Sequence, residues 1–170
     1  LGKRFPEICF VRCFMDPIMR KSGLTPDQKL RLSMYDPLKK GTVTEEGQRR
    51  ISILGSDFAL DETSDLKRLL RCNDYQIKES PVCESWEDYL SLSDCRMMLN
   101  CYPSGKAGTE WAAERLGRPF MYMPSCFGYD EIIGQLEALS ESMELLGVLD
   151  YEGEKESCEA ALHEALLEVG

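Results

Sequence analysis

Five short apolar or β-branched runs punctuate the chain: Ile8 to Arg12, Ile51 to Gly55, Tyr75 to Glu79, Arg96 to Cys101 and Phe120 to Pro124. Each is strand length, and the segments between them carry helical spacing. Thr25-Pro26-Asp27-Gln28 joins an N-cap, a proline at the first helical position and a capping-box glutamine, and opens a helix through Leu30 and Met34. A helix is predicted from Asp61 to Arg71 with Leu66, Leu69 and Leu70 on one face, and a shorter one from Ser85 to near Leu92. Ser104 is the expected cap of a helix running to Leu116, which Gly117 and Pro119 stop. Ile132, Ile133, Leu136, Leu139, Met143 and Leu146 form one face of a long helix after Tyr129. Gly153 is read as a break before a last acidic helix with Cys158, Ala161, Leu162, Ala165 and Leu166 on one face. The stretch Lys39 to Gln48 is the expected flexible loop.

Strands alternating with helices imply parallel pairing, since each crossover returns the chain to the same end of the sheet. The expected fold is α/β, a three-layer αβα sandwich with an open, mostly parallel sheet of four to five strands, Rossmann-like. A domain over residues 1–150 and an acidic helix over 151–170 leading toward a further domain are the expected divisions. The chain starts at Leu1 without an initiator methionine, as a segment of a longer protein would.

Thirty acidic against twenty basic residues give a net charge of −10, which works against a nucleic-acid partner. No run approaches the roughly 18 apolar residues of a membrane span, and the N-terminus has no signal-peptide character, so a cytoplasmic location is expected. Eight cysteines contain no C-x-x-C pair, which argues against a structural zinc site and for reduced thiols, most of them buried as small hydrophobes.

Ligands of an open parallel sheet bind at the carboxyl ends of the strands, where helix N-termini point. Cys13 closes the first run, Cys101 the fourth, and Cys126 follows the fifth, so three thiols fall on that edge. Cys101 also adjoins a turn and a helix start whose positive field is expected to lower its pKa. Packing and ligation both remain open for it on these grounds. "SGKAG" is not a P-loop, because Asn100 replaces the first glycine and Ala107 the Ser or Thr that would hold magnesium. The single histidine, His163, reads as a surface residue beside an apolar stripe, and Trp86 and Trp111 as core or interface anchors.

The order "ISILGSDFALDETSDLKRLL" followed by "RMMLNCYPSGKAGTEWAAERLGRPFMYMPSCFGYDEIIGQLEAL" resembles the second of the three α/β domains in nitrogenase component 1 proteins, the family of molybdenum-iron protein subunits and their cofactor-assembly relatives. The similarity runs from about Ile8 to Met143. In the catalytic subunit of that family the matching strand ends in His-Cys-Tyr-Arg-Ser, whose cysteine ligates the iron-molybdenum cofactor; here the match is Asn100-Cys101-Tyr102-Pro103-Ser104. Val11-Arg12-Cys13 resembles the strand that enters the cofactor cavity. Pro103 stands in place of arginine and no histidine follows Cys13, so the resemblance implies the broader nitrogenase-like group rather than dinitrogen reduction.

What the resemblance implies is an oxidoreductase domain that helps hold an iron-sulfur or iron-sulfur-derived metallocluster at a domain interface, with none expected in the 170-residue chain alone and no catalysis from it in isolation. Cys101 is the implied metal ligand, and Arg12, Cys13, Ser104 and Lys106 are the implied cofactor-binding residues. The implied partners are neighbouring domains, a homologous subunit and a separate ATP-dependent iron-sulfur reductase, with no nucleic acid and no membrane. The other readings are a non-catalytic assembly scaffold or subunit-interaction domain, and a small-anion-binding α/β module using the Ser104 to Gly108 turn.

Overall fold

A computed structural model describes residues 2–12 and 23–169. Four parallel strands, β1 (Arg50–Ile53), β2 (Gln76–Glu79), β3 (Met97–Asn100) and β4 (Phe120–Tyr122), form one open sheet in the order β2-β1-β3-β4. Ile51 lies opposite Ile77 on one side and Met97 on the other, and Leu99 lies opposite Met121. β1 and β3 are buried at every position, as central parallel strands are, and the polar Arg50, Ser52 and Asn100 are buried with their apolar neighbours. The helices are α1 (Pro26–Tyr35), α2 (Glu45–Gln48), α3 (Asp65–Cys72), α4 (Trp86–Leu90), α5 (Lys106–Leu116), α6 (Tyr129–Met143) and α7 (Tyr151–Val169). The fold is therefore the expected Rossmann-like α/β class with an all-parallel sheet.

Two compact units divide the chain: Leu1–Asp61 with Asp74–Ser125, and Glu62–Asn73 with Cys126–Gly170. The first holds the sheet, α1, α2, α4 and α5. Its core joins Tyr35, Leu38, Leu54, Leu92, Cys95, Met98, Ala112, Ala113 and Leu116. Helices α1 and α5 cross where Gly108 lets Arg31 and Tyr35 approach; a Cβ there would stand 3.0 Å from that of Arg31. The buried Arg31 guanidinium is held by the carboxylates of Asp27 and Asp57 at 3.3 and 3.1 Å. In the second unit α3 meets α6, and Asn73 clamps the turn after α6 by donating to the Gly147 carbonyl at 2.9 Å and accepting from the Gly147 amide at 2.7 Å.

The Thr25 capping box forms as its sequence requires, with the Thr25 hydroxyl and the Gln28 side chain each accepting from the other's backbone amide. Elsewhere the structure departs from the sequence expectations. Ile8 to Arg12 is not a strand: its residues are exposed, the Ile8 amide bonds the Phe5 carbonyl in a turn, and the Arg12 amide donates to the Ser33 hydroxyl at 2.8 Å. A β-prone run becomes a strand only by pairing, and these amides pair locally or with a side chain. Cys13, at the end of that run, lies outside the described residues.

The expected loop from Lys39 to Gln48 contains α2, because Thr44 accepts from the Gly47 amide at 3.0 Å and caps a turn that glutamates favour at its start. Gly153 does not break the last helix. Asp150 accepts from the Gly153 amide at 3.1 Å and its carbonyl from Glu154, so the glycine sits within a capped first turn. Helix α6 stops at Met143, short of Leu146, where Glu144 turns left-handed at φ 55°. Only Cys95 and Cys101 are buried among the described thiols, while Cys9, Cys72 and Cys158 are exposed. No helix among the described residues is long and apolar enough to cross a membrane.

Candidate functional site

The strand order places the topological switch between β1 and β3, because the chain leaves β1 to one side for β2 and passes back over it to reach β3. Gly55, just beyond β1, and Gly105, just before α5, meet at this point. A Cβ on Gly105 would lie 2.4 Å from both the Cα and the carbonyl oxygen of Gly55. Gly55 adopts φ 89°, a left-handed conformation that suits glycine. The side-chain amide of Asn100 donates to the Leu54 carbonyl, and Thr109 donates to the Gly105 carbonyl at 3.0 Å, both fully buried. Backbone thus fills the crevice in which an open sheet of this type receives a ligand.

Cys101 follows β3 directly. It is 8% exposed, and its carbonyl accepts from the Ser125 amide at 3.4 Å. Burial pushes its thiol up to about 11, and the Glu79 carboxylate adds to the shift. The expectation that the helix start would depress this pKa is not met: loss of hydration raises it, and the thiol is protonated at neutral pH. Glu79 ends β2, is itself buried, and accepts from the Leu60 amide at 2.7 Å.

Ser104 does not cap α5. Pro103–Gly105 winds one 3₁₀ turn closed by the Gly105 amide on the Tyr102 carbonyl, so the helix starts at Lys106 with Gly105 in the cap position. Proline's fixed φ and missing amide favour this tight lead-in. Lys106 is exposed, with its ammonium 4.8 Å from the centre of the Tyr122 ring at the end of β4. The structure gathers Cys101, Ser104 and Lys106 on one turn. It places Arg12 elsewhere, in a groove of about 560 Å³ that Arg12 shares with Phe10, Lys29, Asp36 and Trp111. Cys126 belongs to the second unit, where the Gln135 amide donates to its sulfur at 3.3 Å.

Large apolar side chains lie uncovered on the segments that leave the strands at this edge. Phe58 after β1 is 81% exposed, Tyr102 after β3 is 50% exposed, and Val82 and Trp86 follow β2. Trp86 stacks on Tyr89 at 5.4 Å, and the Tyr89 hydroxyl donates to the Met34 carbonyl at 2.7 Å. Sequence reading noted Gly55 and Asn100 at this edge without the contacts they make, and missed Glu79, Gly105 and Phe58. The glycines directly after "ISIL" and before the α5 pattern were the available signal for close backbone approach. Nothing in the local pattern marks Glu79, since a glutamate ending a strand is ordinarily solvated.

Among the described residues no three His, Cys, Asp or Glu side chains gather in a metal-binding set. The donor chemistry of this unit therefore fits a metallocluster in one limited way, as a single soft sulfur ligand from Cys101, with the remaining ligands coming from elsewhere. Compared with protein-family models, the chain matches none, and no curated protein matches it.

Proposed function

We propose that this α/β unit is a wall of a site formed between domains in a nitrogenase component 1-like oxidoreductase, with its carboxyl edge docking on the neighbouring domains. The observation that carries the reading is the coincidence on one edge of the Cys101 sulfur with the uncovered Phe58 and Tyr102 side chains. An aromatic surface of this kind is what a second protein surface covers, and covering it would enclose the strand end that holds the thiol. Resemblance to the family's Cys-Tyr-x-Ser strand end supports the assignment of Cys101 as a metal ligand.

An enclosed iron-sulfur-derived cluster would supply the electron transfer and substrate reduction, with electrons delivered by a separate ATP-dependent reductase in the cytoplasm. Cys101 would give one thiolate, losing its proton as it binds metal. Lys106 would contribute a positive charge at the rim, and the Ser104 hydroxyl a hydrogen-bond donor beside it. Enclosure by the neighbouring domains would exclude water from the strand end.

The test is anaerobic isolation of the protein that carries this domain, with iron content and the cluster EPR signal measured for wild type, Cys101→Ser and the buried control Cys95→Ser. Loss of signal with Cys101→Ser alone is the expected result. Unchanged iron and EPR in that variant removes the ligand role.

The neutral, buried state of Cys101 favours a second reading, in which the same edge docks in a non-catalytic assembly or subunit-interaction domain. Under it, Cys101→Ser leaves all activity intact while Phe58→Asp with Tyr102→Asp abolishes association.

A further inference from the structure

Helix α7 changes character along its length. Its first turns are tied into the second unit: Glu154 takes a two-point ion pair from Arg68, Lys155 reaches Asp130 at 3.1 Å, and the Tyr151 hydroxyl is buried. Tyr151, Glu154 and Lys155 lie on one side of the helix. At 3.6 residues per turn, the same side continues through Cys158, Ala161, Leu162, Ala165 and Leu166. From Glu156 to Glu168 every residue is exposed, with Leu162 at 58% and Leu166 at 62%. The docked face therefore runs on for about 20 Å as an exposed stripe.

A bare helical stretch of this length is marginal in water, since it gains its stability chiefly from a covered apolar face. Charge says what kind of partner covers it. Glu159 borders the stripe on one side and Glu164 and Glu168 on the other, and residues 156–168 contain no lysine or arginine. A second copy packed here, parallel or antiparallel, would bring glutamates against glutamates, and an anionic bilayer would be repelled in the same way.

We infer that the outer half of α7 is a docking face for a basic amphipathic helix of a partner protein, whose leucine-type stripe meets Leu162 and Leu166 while flanking lysines or arginines meet Glu159, Glu164 and Glu168. Its flanking charges are exposed, so binding is salt-sensitive. The docking face is independent of any role for Cys101.

The test uses the whole 170-residue chain at pH 7 and three fluorescent synthetic peptides of about 18 residues: a leucine stripe flanked by lysine, the same stripe flanked by glutamate, and the lysine composition with the stripe scrambled. Anisotropy should show binding of the first only, weakening as salt is raised. Leu162→Ser with Leu166→Ser should lower that affinity at least about tenfold. Glu159→Lys with Glu164→Lys and Glu168→Lys should transfer the preference to the glutamate-flanked peptide. Equal binding of the scrambled peptide, indifference to the leucine substitutions, or a pH 7 dimer in sedimentation that those substitutions dissolve would each overturn the proposal.

Discussion

The side-chain amide of Asn100 donates to the carbonyl of Leu54 at 2.7 Å, tying the last residue of β3 to the first residue beyond β1, while its Oδ1 is buried without a hydrogen-bond partner among the described residues. The bond fixes the two central strands at the edge where Cys101 emerges. Removing it leaves a buried carbonyl without a donor, so Asn100→Ala is expected to lower stability by about 2 kcal/mol. Urea unfolding followed by the fluorescence of Trp86 and Trp111, both in the sheet unit, measures this. A variant within about 0.5 kcal/mol of wild type would show that the bond does not hold the edge.

Two glycines give predictions of opposite sign. Gly105→Ala would place a Cβ against the Gly55 backbone, which has no flexible end to move aside, and should cost about 3 kcal/mol while parting the ends of β1 and β3. Gly134 lies in the interior of α6, and the position its Cβ would take has nothing within 4 Å, so Gly134→Ala should raise stability by up to about 1 kcal/mol. Thermal and urea unfolding of the two variants side by side would refute the packing account if both moved in the same direction.

These contrasts explain how much of the molecule was legible in the sequence. The runs at Ile51, Tyr75, Arg96 and Phe120 became strands because parallel partners bury them, and Thr25 and Gln28 specified their helix through purely local bonds. Ile8 to Arg12 is as β-prone but pairs with no strand among the described residues, a non-local outcome that residue type does not encode. The α2 turn depends on Thr44, whose hydroxyl both accepts from Gly47 and donates to Asp94, fifty positions away. At the site, the position of Cys101 at a strand end followed from alternation and length alone. Its protonation state did not, because the burial that sets it comes from surroundings brought together by the fold.

Asp94 provides a pH test of the α2 anchor. Burial alone would raise its pKa, but the Thr44 hydroxyl at 2.6 Å and amide at 2.9 Å, with Arg50 and Arg118 nearby, outweigh that and hold it below the usual carboxylate range. A depressed carboxylate contributes stability above its unfolded pKa and loses it as pH falls through the folded value. Wild type should therefore lose more stability than Asp94→Asn on going from neutral to strongly acidic pH. Asp94→Ala should cost about 2 kcal/mol at pH 7. Parallel pH-stability curves for wild type and Asp94→Asn would rule out the anchor's electrostatic part.

Cys101 should behave as a buried neutral thiol. With its pKa pushed up to about 11, it is roughly one part in a thousand thiolate at pH 8. Cys158, which is exposed, should alkylate several hundredfold faster under the same conditions, as resolved by peptide mass spectrometry with iodoacetamide. The fold stabilises the protonated form, so this contribution is complete below the ordinary thiol pKa and is lost as pH rises toward about 11. Cys101→Val should flatten that alkaline decline. Equal alkylation of Cys101 and Cys158 at pH 8 would instead mean that the α5 start controls the thiol and that Cys101 is already poised as a thiolate. Because metal must displace the proton, any metal affinity at this sulfur should rise with pH until the thiol is fully ionised.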